Sequence, residues 1–159
     1  MKKTFFLFLS VGFLATLFSC QDEFCLEPTT PNLTVRFYDK DTVENTKALN
    51  LIVWIGSGTD SVALPDYVGT SIDSLSLPLD TQNTLVDYHF AILDSVGSQE
   101  EISITYSTED VYVSKACGFK SIFHDVTFTN TTNSEWLSKS EQLSTEITNE
   151  TEAHVKIFH

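Results

Sequence analysis

The chain has 159 residues, and 22 acids against 9 lysines and arginines give it a formal net charge of −13 at pH 7. That length fits one domain, or one domain with a removable segment. A chain this acidic is repelled by nucleic acid and by anionic lipid surfaces, which excludes nucleic acid as a partner. The plain meaning of the charge is solubility, and divalent-cation binding is the alternative.

Lys2 and Lys3 open the chain, and Thr4 to Phe18 is an almost unbroken apolar run, TFFLFLSVGFLATLF. The run is shorter than the roughly 20 residues that span a hydrocarbon core. No basic stop-transfer cluster follows, so the pattern is that of an export signal rather than an anchor helix. Leu17-Phe18-Ser19-Cys20 resembles the lipobox of bacterial lipoproteins, in which a small residue precedes a cysteine that is acylated after cleavage. Phe18 is bulkier than the residue usual at its place. The resemblance implies a signal peptide over 1–19 and a mature chain that starts at Cys20. Acyl chains there, at about 0.8 kcal/mol per buried methylene, would tether the protein to a membrane without crossing it. Residues 20–31 then form a lipidated tether and 32–159 a single domain. Removing residues 1–19 takes away two lysines and no acid, which moves the charge from −13 to −15.

If Cys20 carries lipid, Cys25 and Cys117 remain, an even number in an oxidising compartment where disulfides persist. They are expected to pair, and the chain-entropy model assigns so long a loop roughly 4–5 kcal/mol.

Past the tether, period-two alternation dominates and helical periodicity is scarce. LTVRFYD (33–39) puts Leu33, Val35 and Phe37 on one face. ALNLIVWIG (48–56) is apolar on both faces, as in a strand covered on both sides. SLSLPLD (74–80) alternates leucine with serine, and Pro78, which donates no ladder hydrogen bond, marks an edge. TLVDYHFAIL (84–93) and EISITYS (101–107) alternate cleanly; DVYVSKA (110–116), KSIFHDVTFTN (120–130) and EAHVKIFH (152–159) complete the set. Gly, Pro, Asp, Asn and Ser supply the turns IGSGTD, LPDYVG, DSVGSQ and STED. Seven or eight short strands at this spacing predict an antiparallel β-sandwich, immunoglobulin-like, with a small closed barrel as the alternative. Residues 130–149 read as a long surface crossover, within which SEWLSKSEQL predicts one or two helical turns capped by Ser134.

The lipobox cysteine, the cysteine soon after it, PNLTVRFYD, SLSLPLD and a late KACGF together resemble a family of small Bacteroidota lipoproteins, a domain of unknown function. The resemblance covers nearly the whole mature chain and implies an envelope location and the pairing of Cys25 with Cys117. It implies no activity. Gln21-Asp22-Glu23 resembles the acidic signal that directs lipoproteins of this phylum to the outer face of the outer membrane, and it also reads as an ordinary solvated tether. Asp-Thr-Val at 41–43 and Asp-Ser-Val at 60–62 and 94–96 match the three-residue O-glycosylation acceptor of these bacteria, which makes Thr42, Ser61 and Ser95 candidates. Ser74 also matches but heads a strand.

Catalytic signals are weak. Lipid and disulfide leave no thiol nucleophile, and IGSGT around Ser57 lacks the strand–turn–helix setting of a nucleophile elbow. His89 shares a strand face with Asp87, but zinc needs three or four convergent ligands, so His89 is expected to face solvent, as is His124 beside Asp125. Asp39-Lys40-Asp41 begins like a calcium loop, yet Val43 and Glu44 stand where an oxygen ligand and a glycine are needed, which excludes an EF-hand and leaves a looser site open. Glu100-Glu101 reads as a solvated pair, Trp54 and Phe90 as core, and Trp136 as locally packed.

The expectation is a lipid-anchored envelope protein with a non-catalytic binding or structural domain. It has no cofactor, no catalytic set and no metal site, and its partner is an envelope protein or glycan. The alternatives are a small hydrolase or carbohydrate-active enzyme using paired carboxylates, and a calcium-dependent adhesion module.

Overall fold

The computed structural model describes residue 25 and residues 29–56, 58–93, 95–131 and 136–159. The expected signal peptide, Cys20, Ser57 and Ser134 lie outside the described residues.

Among the described residues ten strands form two sheets, with two single 3-10 turns over Gly58–Asp60 and Pro65–Tyr67. They are β1 (Leu33–Tyr38), β2 (Leu49–Ile55), β3 (Val62–Ala63), β4 (Thr70–Ile72) and β5 (Ser74–Leu77), then β6 (Leu85–Ile92), β7 (Glu100–Ser114), β8 (Gly118–Asn130), β9 (Lys139–Gln142) and β10 (Val155–Phe158). One sheet has the order β5-β1-β10-β9, and the other runs β3-β2-β6-β7-β8 with β4 also on β2. The expected sandwich is formed, and no closed barrel; the strand order within the two sheets is the protein's own. The chain divides into two compact units. Of the described residues, 29–111 with 120–159 form the sandwich, and residues 112–119 belong with Cys25 in the other unit.

Alternation builds the core as the sequence implies. Leu33, Val35, Phe37, Leu75, Leu77, Val155 and Ile157 point inward from the four-stranded sheet. They meet Leu51, Val53, Tyr88, Phe90, Ile102, Ile104 and Phe123 from the other, all fully buried. β5 is an edge strand that ends just before Pro78, where the missing N–H would break the ladder. β1 pairs in parallel with β10, Val35 opposite Val155 and Phe37 opposite Ile157, which joins the first described strand to the last. The turn after β2 depends on Gly56 at φ +82°, where an added Cβ would sit 2.8 Å from the Asp60 carbonyl oxygen.

Four readings are corrected. The 110–116 segment is no separate strand but, as far as Ser114, the far end of β7. Residues 139–142 form β9 rather than helical turns, because an edge strand needs only backbone pairing to β10. The supposed surface crossover carries a core residue: Ile147 is fully buried and bridges Phe123 through two backbone hydrogen bonds of 2.9 and 3.1 Å. Seven or eight strands become ten because β3 and β4, of two and three residues, are too short for a periodic signal.

Candidate functional site

The outward face of the six-stranded sheet carries the first cluster. Register sets Trp54 opposite His89, His89 opposite Glu101, and Asp87 opposite Ser103. The indole and imidazole stack at 5.4 Å with a 15° tilt. His89 is only 8% exposed, contrary to the solvent-facing expectation, because it lies on a central strand between two large cross-strand neighbours. Trp54, expected in the core, is instead partly buried against His89 on this face. The buried Nδ1 of His89 has no hydrogen-bond partner, and the nearest carboxylate oxygen, Oε2 of Glu101, is 3.8 Å away. Ser103 donates to the Asp87 carboxylate at 2.6 Å, and Thr131 donates to Glu101 Oε1 at 3.3 Å. An imidazole, two carboxylates, two hydroxyls and an indole grouped in this way can hydrogen-bond a polar partner. Glu100, next in sequence to Glu101, is fully buried rather than solvated.

A second cluster lies on β8. His124 Nε2 is 2.9 Å from Glu109 Oε2, and its Nδ1 is 3.7 Å from Glu146 Oε1. Here Asp125 adopts φ 52°, rare for a residue other than glycine, and the Ser107 hydroxyl lies 3.3 Å from the Asp125 carboxylate. Among the described residues no group of three or more His, Cys, Asp or Glu side chains converges as metal ligands would. The Asp39 carboxylate, first in the calcium-like run, accepts hydrogen bonds from the Asp41 and Thr42 backbone and pairs with Lys47 at 3.4 Å.

A polar cavity of about 340 Å³ lies beside the last strand, lined by Ser144, Glu146, Thr148, Asn149, Glu152 and His154. Nothing in the residue pattern announces it, since these residues read as a solvated run. His154 Nδ1 accepts the Thr34 backbone N–H at 2.9 Å, so its proton resides on Nε2. His159, at the other end of β10, places Nε2 3.0 Å from the Lys47 carbonyl oxygen. Burial pushes both imidazoles below their ordinary value of 6.5, against weaker opposing hydrogen bonds to Asn149 and Lys47 respectively. The unfolded chain therefore binds these protons at higher pH than the folded one, so stability is complete above about pH 6.5 and declines as pH falls below it. Thermal melts at about pH 7.5 and 5.5 should show the wild type losing ground to H154N, whose amide oxygen still accepts from Thr34 but does not titrate. A constant difference between the two proteins would contradict this.

The third feature is the tip of the β7–β8 hairpin. Cys25 is bonded to Cys117 across 92 residues of sequence, with Cα atoms 4.8 Å apart. The Ser114 hydroxyl accepts the Cys117 N–H at 3.1 Å, and Tyr112 and Phe119 pack edge to face at 5.4 Å. Among the other expected positions, Thr42, Ser61 and Ser95 are exposed and dispersed over separate turns. The Ser61 hydroxyl donates to the Gly58 carbonyl. Trp136 packs against the core, and its indole N–H donates to the Ser98 carbonyl at 2.6 Å.

No curated protein and no solved structure matches the chain. One family model does, over residues 50–159, from β2 to the last strand, and by that match the chain belongs to the family of unknown function DUF6452.

Proposed function

We propose that this is a cell-envelope lipoprotein of Bacteroidota type. It is held to the outer membrane by acyl chains on Cys20, and its β-sandwich serves as a non-catalytic binding or structural module for another envelope component, protein or glycan. The observation that carries this reading is the Cys25–Cys117 bridge. An oxidised pair belongs to an exported protein. It also binds the chain five residues after the lipobox-like cysteine, which leaves Cys20 for the lipid. The outward face that carries Trp54, His89, Asp87, Glu101 and Ser103 supports a polar partner, because register gathers an indole, two carboxylates and a hydroxyl there side by side. Glycosylation of Thr42, Ser61 and Ser95 fits their exposure on turns.

The anchor is tested by Cys20→Ser. The wild type should fractionate with membranes and carry acyl mass on Cys20, and the variant should lose both signatures while keeping its disulfide. Retention of the variant in the membrane fraction, with the same mobility as wild type, would defeat the reading. Crosslinking on intact cells tests the binding role: a reproducible captured component that is lost with a Trp54→Ala, Glu101→Ala variant supports it. An empty capture across conditions argues against it, and sugar-free mass at Thr42, Ser61 and Ser95 ends the glycosylation proposal.

A further inference from the structure

The hairpin tip has a composition unlike the rest of the chain. Residues 112–120 read YVSKACGFK, with two lysines and no acid, in a protein of net charge −13. Tyr112 and Phe119 are 59% and 69% exposed, and Lys115 between them is exposed as well. Two large aromatic rings left in water at the end of a long hairpin are not there for the core.

Their position in the chain says what covers them. Cys117, two residues from Phe119, is bonded to Cys25, and five residue steps separate Cys25 from Cys20. Fully extended, those steps reach at most about 18 Å. We propose that this tip docks on an anionic lipid surface, with Tyr112 and Phe119 seated at headgroup level and Lys115 on the anionic headgroups. This rests on the reading of Cys20 as the acylated residue, which keeps the tip within that short reach of the bilayer. Aromatic side chains favour the membrane–water interface, where an apolar body and polar surroundings are both accommodated. A lysine near an anionic surface raises partitioning roughly fivefold, over a range limited by the Debye length. The carboxylates of the rest of the domain are repelled by the same surface; the acyl anchor holds the stem acids Asp22 and Glu23 near it regardless, and the tip is the stretch with two lysines and no acid to offset them. Acyl chains alone give one attachment to the membrane; a docked tip is a second.

The test uses the full chain as isolated from membranes, with the disulfide intact. It is equilibrated at low salt with vesicles containing about 30% anionic phospholipid, with purely zwitterionic vesicles, or with none. A brief pulse of amine-reactive reagent is read by mass spectrometry at Lys115 and, as an internal reference, at Lys139. Labelling of Lys115 should slow at least fivefold on anionic vesicles and less on zwitterionic ones, with Lys139 unchanged. Tyr112→Ser with Phe119→Ser should restore the rate. The comparison between vesicle types needs no variant, so the idea stays decidable if that double variant folds poorly. Unaltered Lys115 labelling on anionic vesicles would overturn it. So would protection without vesicles that grows with protein concentration, since a second copy would then cover the tip. The mass at Cys20, taken on the same sample, judges the anchor separately: a chain without acyl groups ends that reading, while Lys115 still decides the tip.

Discussion

Replacing Cys25 or Cys117 by serine is expected to lower the unfolding free energy by about 4–5 kcal/mol. The bond joins residues 92 apart, so it removes a long loop's worth of freedom from the unfolded ensemble while adding little packing of its own. A domain of this size has a total stability of only about 5–15 kcal/mol, so such a loss would leave the reduced protein marginal at growth temperature. Guanidinium unfolding with and without reductant measures it. The midpoint should drop sharply on reduction, and each serine variant should match the reduced wild type. Cys20→Ser, which has no part in the bridge, should unfold like the oxidised parent. A reduced protein with an unshifted midpoint would mean that the unfolded chain is already held compact by other means.

That bridge was readable from the cysteines alone because there were only three to assign and one fell in a lipobox-like setting. The strands were readable for a different reason. Leu33, Val35 and Phe37, or Ile102, Ile104 and Tyr106, alternate with polar residues because one face of each strand meets the other sheet, and period two records that directly. Pro78 marked the edge correctly. β9 left no such record: KSEQ contributes no residue to the core and is held by pairing to β10, a relation between segments rather than a property of one. Glu100 was legible and misread. Alternation with Ile102 and Ile104 places it inward, and there the side chain is fully buried, so position outweighed residue type.

The candidate site was less legible. Alternation puts Asp87 and His89 on the outer face, which is correct, while Trp54, in a run apolar on both faces, read as core; and whether an outer-face residue is wet depends on its neighbours across the ladder. His89 is buried because Trp54 and Glu101 happen to be its partners, and register between three strands is not written in any one of them. The same holds for the His124 cluster, which gathers Glu109 from β7 and Glu146 from the segment after β9. The two ends of β10 behave likewise, since His154 and His159 are dry only because Thr34 and Lys47 come from the opposite end of the chain.

Ile147→Ala should cost about 2–5 kcal/mol, the range for truncating a fully buried aliphatic side chain. The sequence around it, TEITNETE, looks like solvated linker, and a surface residue there would tolerate alanine within about 0.5 kcal/mol. Structure argues otherwise. After β9, at the edge of the four-stranded sheet, the chain passes to β8, at the edge of the other. There Val126 donates its N–H to the Thr145 carbonyl at 2.9 Å, and Phe123 and Ile147 exchange both backbone bonds. Gln142 reinforces the passage by accepting the Phe128 N–H at 3.1 Å and donating to the carbonyls of Val126 and Ser144. Ile147 is the apolar member of this seam, and its side chain fills the space beside Phe123 that would otherwise open to water. Thr148→Ala, one residue on and exposed, is the matched control and should leave the unfolding midpoint in place. Equal midpoints for the two variants would show that the seam is backbone alone. A large separation would establish that one isoleucine in a polar run closes this side of the sandwich.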